Sequence, residues 1–408
     1  MTVSRNKLVL FGAGKIGRSF IGQLFSRGGY EVVFIDVNKE IVKELNKRRN
    51  YNVVIRSERN EIINIKNVRG VPADNEIEVI NEISSAEILA VSVGQNGLNA
   101  AIKMTARGLL HRYMNGISSP IDIIVAENMR NASRYFGEGL KKFLPADFPL
   151  ETYTGIIETS IGKMVPIMLK KDIEEDILQV FAEPYNTLIV DRAAFKNPIP
   201  EIRGLEPRDN IKAWVDRKLF IHNLGHATAA YVGYLYDPGF RFVYEALAVK
   251  GVNEFVRGTM MQAAACLIKK YPSEFNLRML EDHVDDLLCR FQNKALGDTI
   301  FRVGCDLFRK LGPEDRLAGS IRLAREFDQP YDMILFSLIC ARRFRAADEN
   351  GKMFSRDVVF HKSRKNELRY VLKKICRFDS KIDRDVFDKA EVLENGLIAN
   401  GLQYMIKN

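Results

Sequence analysis

Nowhere in these 408 residues do about 18 apolar residues follow one another, so a membrane-crossing helix is excluded on length. Cysteine is sparse. Cys266, Cys289, Cys305, Cys340 and Cys376 are odd in number and far apart, with no C-x-x-C pair among them. That spacing suggests neither a zinc site nor a disulfide framework, and buried reduced thiols are the expectation. A basic block is missing too. The net charge is +9, yet Lys and Arg alternate with Asp and Glu, as in EPRDNIKAWVDRK. Nucleic-acid binding calls for a concentrated basic stripe. A basic surface that attracts an anionic metabolite fits at least as well. The start, MTVSRNKLVLFGAGKIG, passes from apolar residues directly into glycines without the cleavage site of a signal peptide. The expectation is a cytoplasmic protein without a bound metal, its oligomeric state, monomer or dimer, left open.

What is present is ordinary globular material, 46% hydrophobic and 28% charged, in a chain long enough for two domains. KLVLFGAG reads as a buried parallel strand and IGRSFIGQLFSRGG as a helix that stops at Gly28-Gly29. YEVVFIDVN and KEIVKELNKRR repeat the strand–helix rhythm, and YNVVIR, AEILAVSVG, IDIIVAEN and TLIVDRAAF are further strands. This is the pattern of an α/β, Rossmann-like, doubly wound sheet. KNPIPEIRGLEP, with Pro198, Pro200 and Pro207, reads as a crossover. Beyond it NEFVRGTMMQAAACLIKKY and VVFHKSRKNELRYVLKKICRF have helical spacing and strand signals fade. The expected layout is a nucleotide-binding domain over 1–197 and a mostly helical domain over 198–408.

GAGKIG places Gly12, Gly14 and Gly17 in G-x-G-x-x-G spacing, with Ala13, Lys15 and Ile16 between them. A strand before it and a helix after it give the motif meaning: the glycines permit a tight turn, close approach of a pyrophosphate, and close helix–strand packing. Asp36 ends the second strand, where a carboxylate binds the ribose hydroxyls of NAD and repels the 2′-phosphate of NADP. Lys39 is close enough to soften that preference. Gly94, at the end of AVSVG, reads either as a close-approach glycine beside the cofactor or as a strand-ending turn.

One stretch of the second half, KLFIHNLGH, sets Lys218, Asn223 and His226 among apolar residues. On an α-helix, Lys218, His226 and Asn223 fall at roughly 0°, 80° and 140°, fanned over one sector. Gly225 sits among them, which suggests that something comes close to that turn, because glycine weakens a helix interior by roughly 1 kcal/mol. A solvated amphipathic face is one reading. A buried base with an amide partner is the other, favoured by the apolar and small residues on both flanks, IKAWVDRKLF and ATAAYVGYL.

K-x4-N-x2-H after a strand–helix nucleotide domain resembles the signature of the polyol-specific long-chain dehydrogenases. FGAGKIGRSFIG, AENM, RKLFIHNLGHA and RFQNKALGDTIFRVGCDLFRKLGPEDR match that family in order, the likeness weakening after about Arg345. The resemblance implies an NAD-dependent oxidoreductase that interconverts a hexitol phosphate, mannitol 1-phosphate, and a ketose phosphate, fructose 6-phosphate. It makes Lys218 the general base, Asn223 and Asn128 donors to the developing alkoxide, and His226 the residue that holds substrate and lysine in register. Arg302 and Lys310 would line the substrate end, and Glu127 of AENM joins the cofactor set. Burial against apolar flanks would lower the lysine pKa from its unperturbed value near 10.4, as a base needs.

SIGKMVP departs from the family's S-x-V-D-R-x-x-P, with Gly162 for the aspartate and Lys163 for the arginine, a point charge in place of a fork. Lys294 stands where proline is commoner. Lys163 is counted with the substrate cations that would welcome a phosphate. A relative acting on a free polyol or a hexonate is the alternative. A 6-phosphogluconate-dehydrogenase-like enzyme would need K-x3-N, and loss of the aspartate admits a nucleotide-binding protein without catalysis.

Overall fold

Along the first strand Leu8 and Leu10 join one apolar cluster and Val9 and Phe11 another, because successive side chains of a strand point to opposite faces. A strand buried on both faces is the mark of a sheet covered by helices on each side. The computed structural model describes residues 6–57, 59–362 and 367–406. Its internal contacts divide the chain into two compact units, Met1–Val215 and Asp216–Asn408.

The first unit holds eleven strands among its described residues: β1 Lys7–Phe11, β2 Glu31–Asp36, β3 Asn50–Ile55, β4 Glu61–Lys66, β5 Val68–Pro72, β6 Ile88–Val91, β7 Ile121–Val125, β8 Thr154–Ile161, β9 Val180–Ala182, β10 Leu188–Asp191 and β11 Leu205–Arg208. Eight form one sheet in the order β11-β10-β8-β7-β6-β1-β2-β5, parallel except where β10 meets β8. The chain leaves β1 toward β2 and returns to β6 on the other side of β1. The β1/β6 junction is therefore the topological switch point, where open α/β sheets bind ligands. The helix Gly94–Met114 covers one face, contributing Leu98, Ala101 and Ile102. Gly17–Arg27 covers the other with Phe20, Ile21 and Leu24.

Several sequence expectations change. YNVVIR does form a strand, β3, but it pairs with β4 and β9 in a separate three-stranded sheet. β4, β5, β8, β9 and β11 were not anticipated. β4 is largely exposed, which removes the apolar alternation by which strands are read, and β5 carries Gly70 and Pro72. The proline-rich stretch expected to cross between domains instead ends in β11, which pairs with β10 inside the first unit.

Among its described residues the second unit has helices and one bridge, between Phe242 and Thr299, as its regular structure. At its centre Leu224–Tyr236 is buried along nearly its whole length, as expected of a helix apolar all round. Part of the helical stretch VVFHKSRKNELRYVLKKICRF forms Ser355–His361 and Leu368–Ile375, while 363–366 lie outside the described residues. The thiols are all free. Cys266, Cys340 and Cys376 are buried as expected, but Cys289 is exposed and Cys305 intermediate.

Candidate active site

The three motif glycines do different jobs. Gly12 has φ +97°, and a Cβ there would stand 2.2 Å from the Ser92 carbonyl oxygen just after β6. A Cβ on Gly17 would meet the Gly12 carbonyl at 2.0 Å. These two let β1, β6 and the following helix close on one another. A Cβ on Gly14 would meet nothing within 4 Å. Its exposed backbone, with exposed Lys15 beside it, is the open part of the cradle, and a pyrophosphate fits there. Asp36 faces the turn: Oδ2 accepts from the Ala13 N–H at 2.6 Å and Oδ1 from the Asn38 N–H at 2.8 Å. Buried Arg18 supports the turn from the helix, its Nε donating to the Ala13 carbonyl at 2.7 Å. Nothing in the spacing pointed to it beyond its place directly after Gly17.

Gly94 and Glu127, both expected beside the cofactor, meet each other. Glu127 Oε1 accepts from the N–H groups of Val93 and Gly94 at 2.7 and 2.9 Å. The carboxylate thereby caps the start of the helix Gly94–Met114 from a distant strand end. Burial pushes its pKa up, while the two N–H groups pull the other way. Gly94 has φ +72°, which answers the turn reading. Asn128 is exposed in the bend after β7. Lys163 is not a free cation for substrate. Its buried ammonium donates to the carbonyls of Glu183 and Tyr185 at 3.3 and 2.8 Å and to Asn186 Oδ1 at 2.8 Å, a structural tie inside the first unit. A Cβ on Gly162 would make ordinary contact with the Tyr185 ring.

In the second unit the lysine stretch is not an α-helix. Lys218–Asn223 is a π-helical turn that runs into the α-helix Leu224–Tyr236. Bonding from i to i+5 brings residues five apart into register along the axis, so Lys218 and Asn223 come closer together than the 140° of an α-helix allows. Leu219, Phe220, Ile221 and His222 take the buried positions. Burial, then the positive charge of Arg316, push the Lys218 ammonium down to about 8, with Asp315 opposing. Gly225 is explained by packing: a Cβ there would stand 2.3 Å from Met260 Sδ of the helix Lys250–Lys270.

His226 lies flat on Phe291, ring centroids 4.5 Å apart and planes 7° apart, with Nε2 at 3.1 Å from Asp298 Oδ2. Asp298 also pairs with Arg302. Arg316 donates to the Asn223 carbonyl at 3.3 Å and pairs with Asp315 at 2.7 Å. Lys310 is buried with its ammonium on the Val303 carbonyl, and burial followed by Arg316 pushes it down to about 7. Within this unit the structure thus gathers Lys218, Asn223, His226, Arg302 and Lys310. Asp298, Asp315 and Arg316 escaped the sequence reading. All three lie inside the RFQNK…GPEDR stretch that carried the resemblance, which was the available signal. His222, left unassigned, is buried, and burial then Arg290 drive its pKa well down. Among the described residues no group of three or more His, Cys, Asp and Glu is arranged to hold a metal ion. No helix among them is long and apolar enough to cross a membrane.

A glycine turn at the switch point of a parallel sheet, with Asp36 facing it, is the layout of a dinucleotide-binding domain, and the helical unit carries a partly buried lysine of lowered pKa. Residues 6–204 match the mannitol dehydrogenase Rossmann domain and residues 210–384 the mannitol dehydrogenase C-terminal domain. The chain belongs to the mannitol dehydrogenase family, a family of NAD-dependent polyol dehydrogenases. Its fold is similar to that of a D-sorbitol dehydrogenase in substrate-free form, with TM-score 0.82 and 16% identity over 99% of this chain and 98% of that one. It is also similar to Pseudomonas fluorescens mannitol 2-dehydrogenase, solved with NAD and D-mannitol, with TM-score 0.76 and 15% identity over 99% and 94%.

Proposed function

We propose that this chain is a mannitol-1-phosphate 5-dehydrogenase, oxidising mannitol 1-phosphate to fructose 6-phosphate with NAD and running in reverse. The observation that carries the phosphate is Lys310. It is buried inside the basic cluster, with its ammonium resting on the single Val303 carbonyl and pushed down to about 7 by burial and Arg316, so among the described residues two of its three N–H donors are left for an anion. A phosphate dianion beside such a group restores its charge, which a neutral hydroxyl cannot do. Arg302, Arg309 and Arg316 belong to the same basic cluster.

NAD, when bound, supplies the two-electron acceptor for the hydrogen that leaves the substrate carbon. Gly12, Gly14, Gly17 and Asp36 hold it. Lys218 in its neutral form takes the hydroxyl proton, which a pKa of about 8 makes feasible near neutrality. The Asn223 amide donates to the oxygen as charge develops there, an interaction of the kind worth about 3 kcal/mol. Asn128 is proposed as a second donor on the family resemblance. His226, fixed by Phe291 and Asp298, orients the substrate hydroxyl. The five free thiols suit a reducing compartment, so a cytoplasmic location goes with this reading.

The second reading is a free polyol. Asp298, Asp306 and Asp315 pair with Arg302, Arg309 and Arg316 and offset much of the positive charge. The two structural neighbours are named for sorbitol and mannitol. Comparing kcat/KM for mannitol 1-phosphate and for mannitol with NAD decides between them. A preference of about a hundredfold or more for the ester is expected, as for charge-assisted contacts. Equal or better use of mannitol ends the phosphate reading.

A further inference from the structure

We infer that Asp74, through its ion pair with Lys39, sets the preference for NAD over NADP. The inference rests on NAD binding at the glycine turn and is independent of which polyol is oxidised.

β2 and β5 run parallel with Asp36 opposite Pro72, and the Ala73 N–H donates to the Asp36 carbonyl at 2.9 Å. The turn after β5 is thereby pinned over the end of β2, one residue from Asp74. Lys39 opens the helix Lys39–Arg48 that leaves this same strand end. Its Nζ stands 2.6 Å from Asp74 Oδ2, with both side chains mostly exposed. An ion pair this open to water adds little to folding stability, so its effect is felt in the local field.

That field decides which nucleotide is accepted. Dinucleotide sites that take NADP place a cation where the 2′-phosphate falls, and those that take NAD place a carboxylate on the ribose hydroxyl. From Asp36 to Val42 the only cation in the sequence is Lys39. Left unpaired, it would offset Asp36 and receive a phosphate. Paired with Asp74, it leaves the charges of Asp36 and Glu40 uncompensated at the strand end. Asp36 is itself anchored by the Ala13 and Asn38 N–H groups and cannot swing away without losing both. Two carboxylates thus act in different ways, Asp36 by occupying the ribose position and Asp74 by occupying the cation that opens the adjoining helix.

The test measures binding without turnover. NADH and NADPH are titrated by nucleotide fluorescence against the full chain, at low salt, for wild type, Asp74→Asn, and Asp74→Asn with Lys39→Ala. Wild type should favour NADH. Asp74→Asn should tighten NADPH about fivefold to twentyfold, the size expected when one opposing charge is removed a few ångströms from a phosphate. Its NADH affinity should stay within about twofold and its melting temperature unchanged, since the pair is exposed. The double variant should lose the gain. An unchanged NADPH affinity in Asp74→Asn, or a gain of equal size without Lys39, overturns the inference. A wild type that binds neither nucleotide overturns the cofactor assignment and this inference with it.

Discussion

His226 and Asp298 meet at 3.1 Å, Nε2 to Oδ2, across the face of a helical unit, and the same carboxylate holds Arg302. One buried acid therefore stands beside two of the side chains proposed to meet substrate. Asp298→Asn keeps the shape and removes the charge. It should lower kcat/KM about tenfold to a hundredfold, the value of one or two charge-assisted contacts. The fold should survive, with a melting temperature within a few degrees of wild type by calorimetry. Full activity in this variant would show that His226 and Arg302 need no such anchor.

Lys218 is the proposed general base. Lys218→Ala should reduce kcat by about 10²–10⁴-fold, the usual contribution of a general base, with NAD affinity within a few-fold of wild type by titration. In the proposed mechanism the lysine acts in its neutral form during alcohol oxidation. Oxidation should therefore rise with pH through about 8 and level off above it. Ketose reduction needs the ammonium and should fall over the same range. Rates flat from pH 6 to 10 would remove Lys218 from the proton path.

Gly12 and Gly14 should separate cleanly. Gly12→Ala forces a side chain into positive φ and onto the Ser92 carbonyl, and strain of this sort costs about 1–3 kcal/mol or more. A large drop in melting temperature is expected. Gly14→Ala meets no atom of the chain, so the protein should fold as wild type while NAD binds more weakly. Equal losses of stability would contradict the division of roles.

Lys163→Met tests a residue that the sequence placed with the substrate. Its three acceptors belong to the protein, and leaving them without a donor should destabilise the first unit by about 1–3 kcal/mol. Chemical denaturation measures this. KM for the sugar phosphate should stay within about twofold; a KM raised tenfold with stability intact would return Lys163 to the substrate.

Local sequence carried the glycine turn, Asp36 and the spacing of Lys218, Asn223 and His226, because each depends on a short strand–turn–helix or on about two turns of helix. The edge strand β4 was illegible since its exposed face erases alternation, and β11 was masked by prolines that elsewhere end elements. Local sequence also could not tell an α turn from a π turn at Lys218, as the extra residue is accommodated by packing of Leu219 to His222 against neighbouring helices.

By itself, then, the amino-acid order determined the fold class and the cofactor and singled out Lys218 as the candidate base, for short-range backbone geometry and residue chemistry suffice for these. Tertiary structure alone decided that Glu127 closes on Gly94, that Lys163 binds carbonyls, that Asp298 holds His226, and that Arg316 reaches the Asn223 carbonyl. Those contacts join residues 22 to 93 positions apart. Burial drives them, since a polar group taken out of water must find whichever partner the packing delivers, and no local periodicity names that partner.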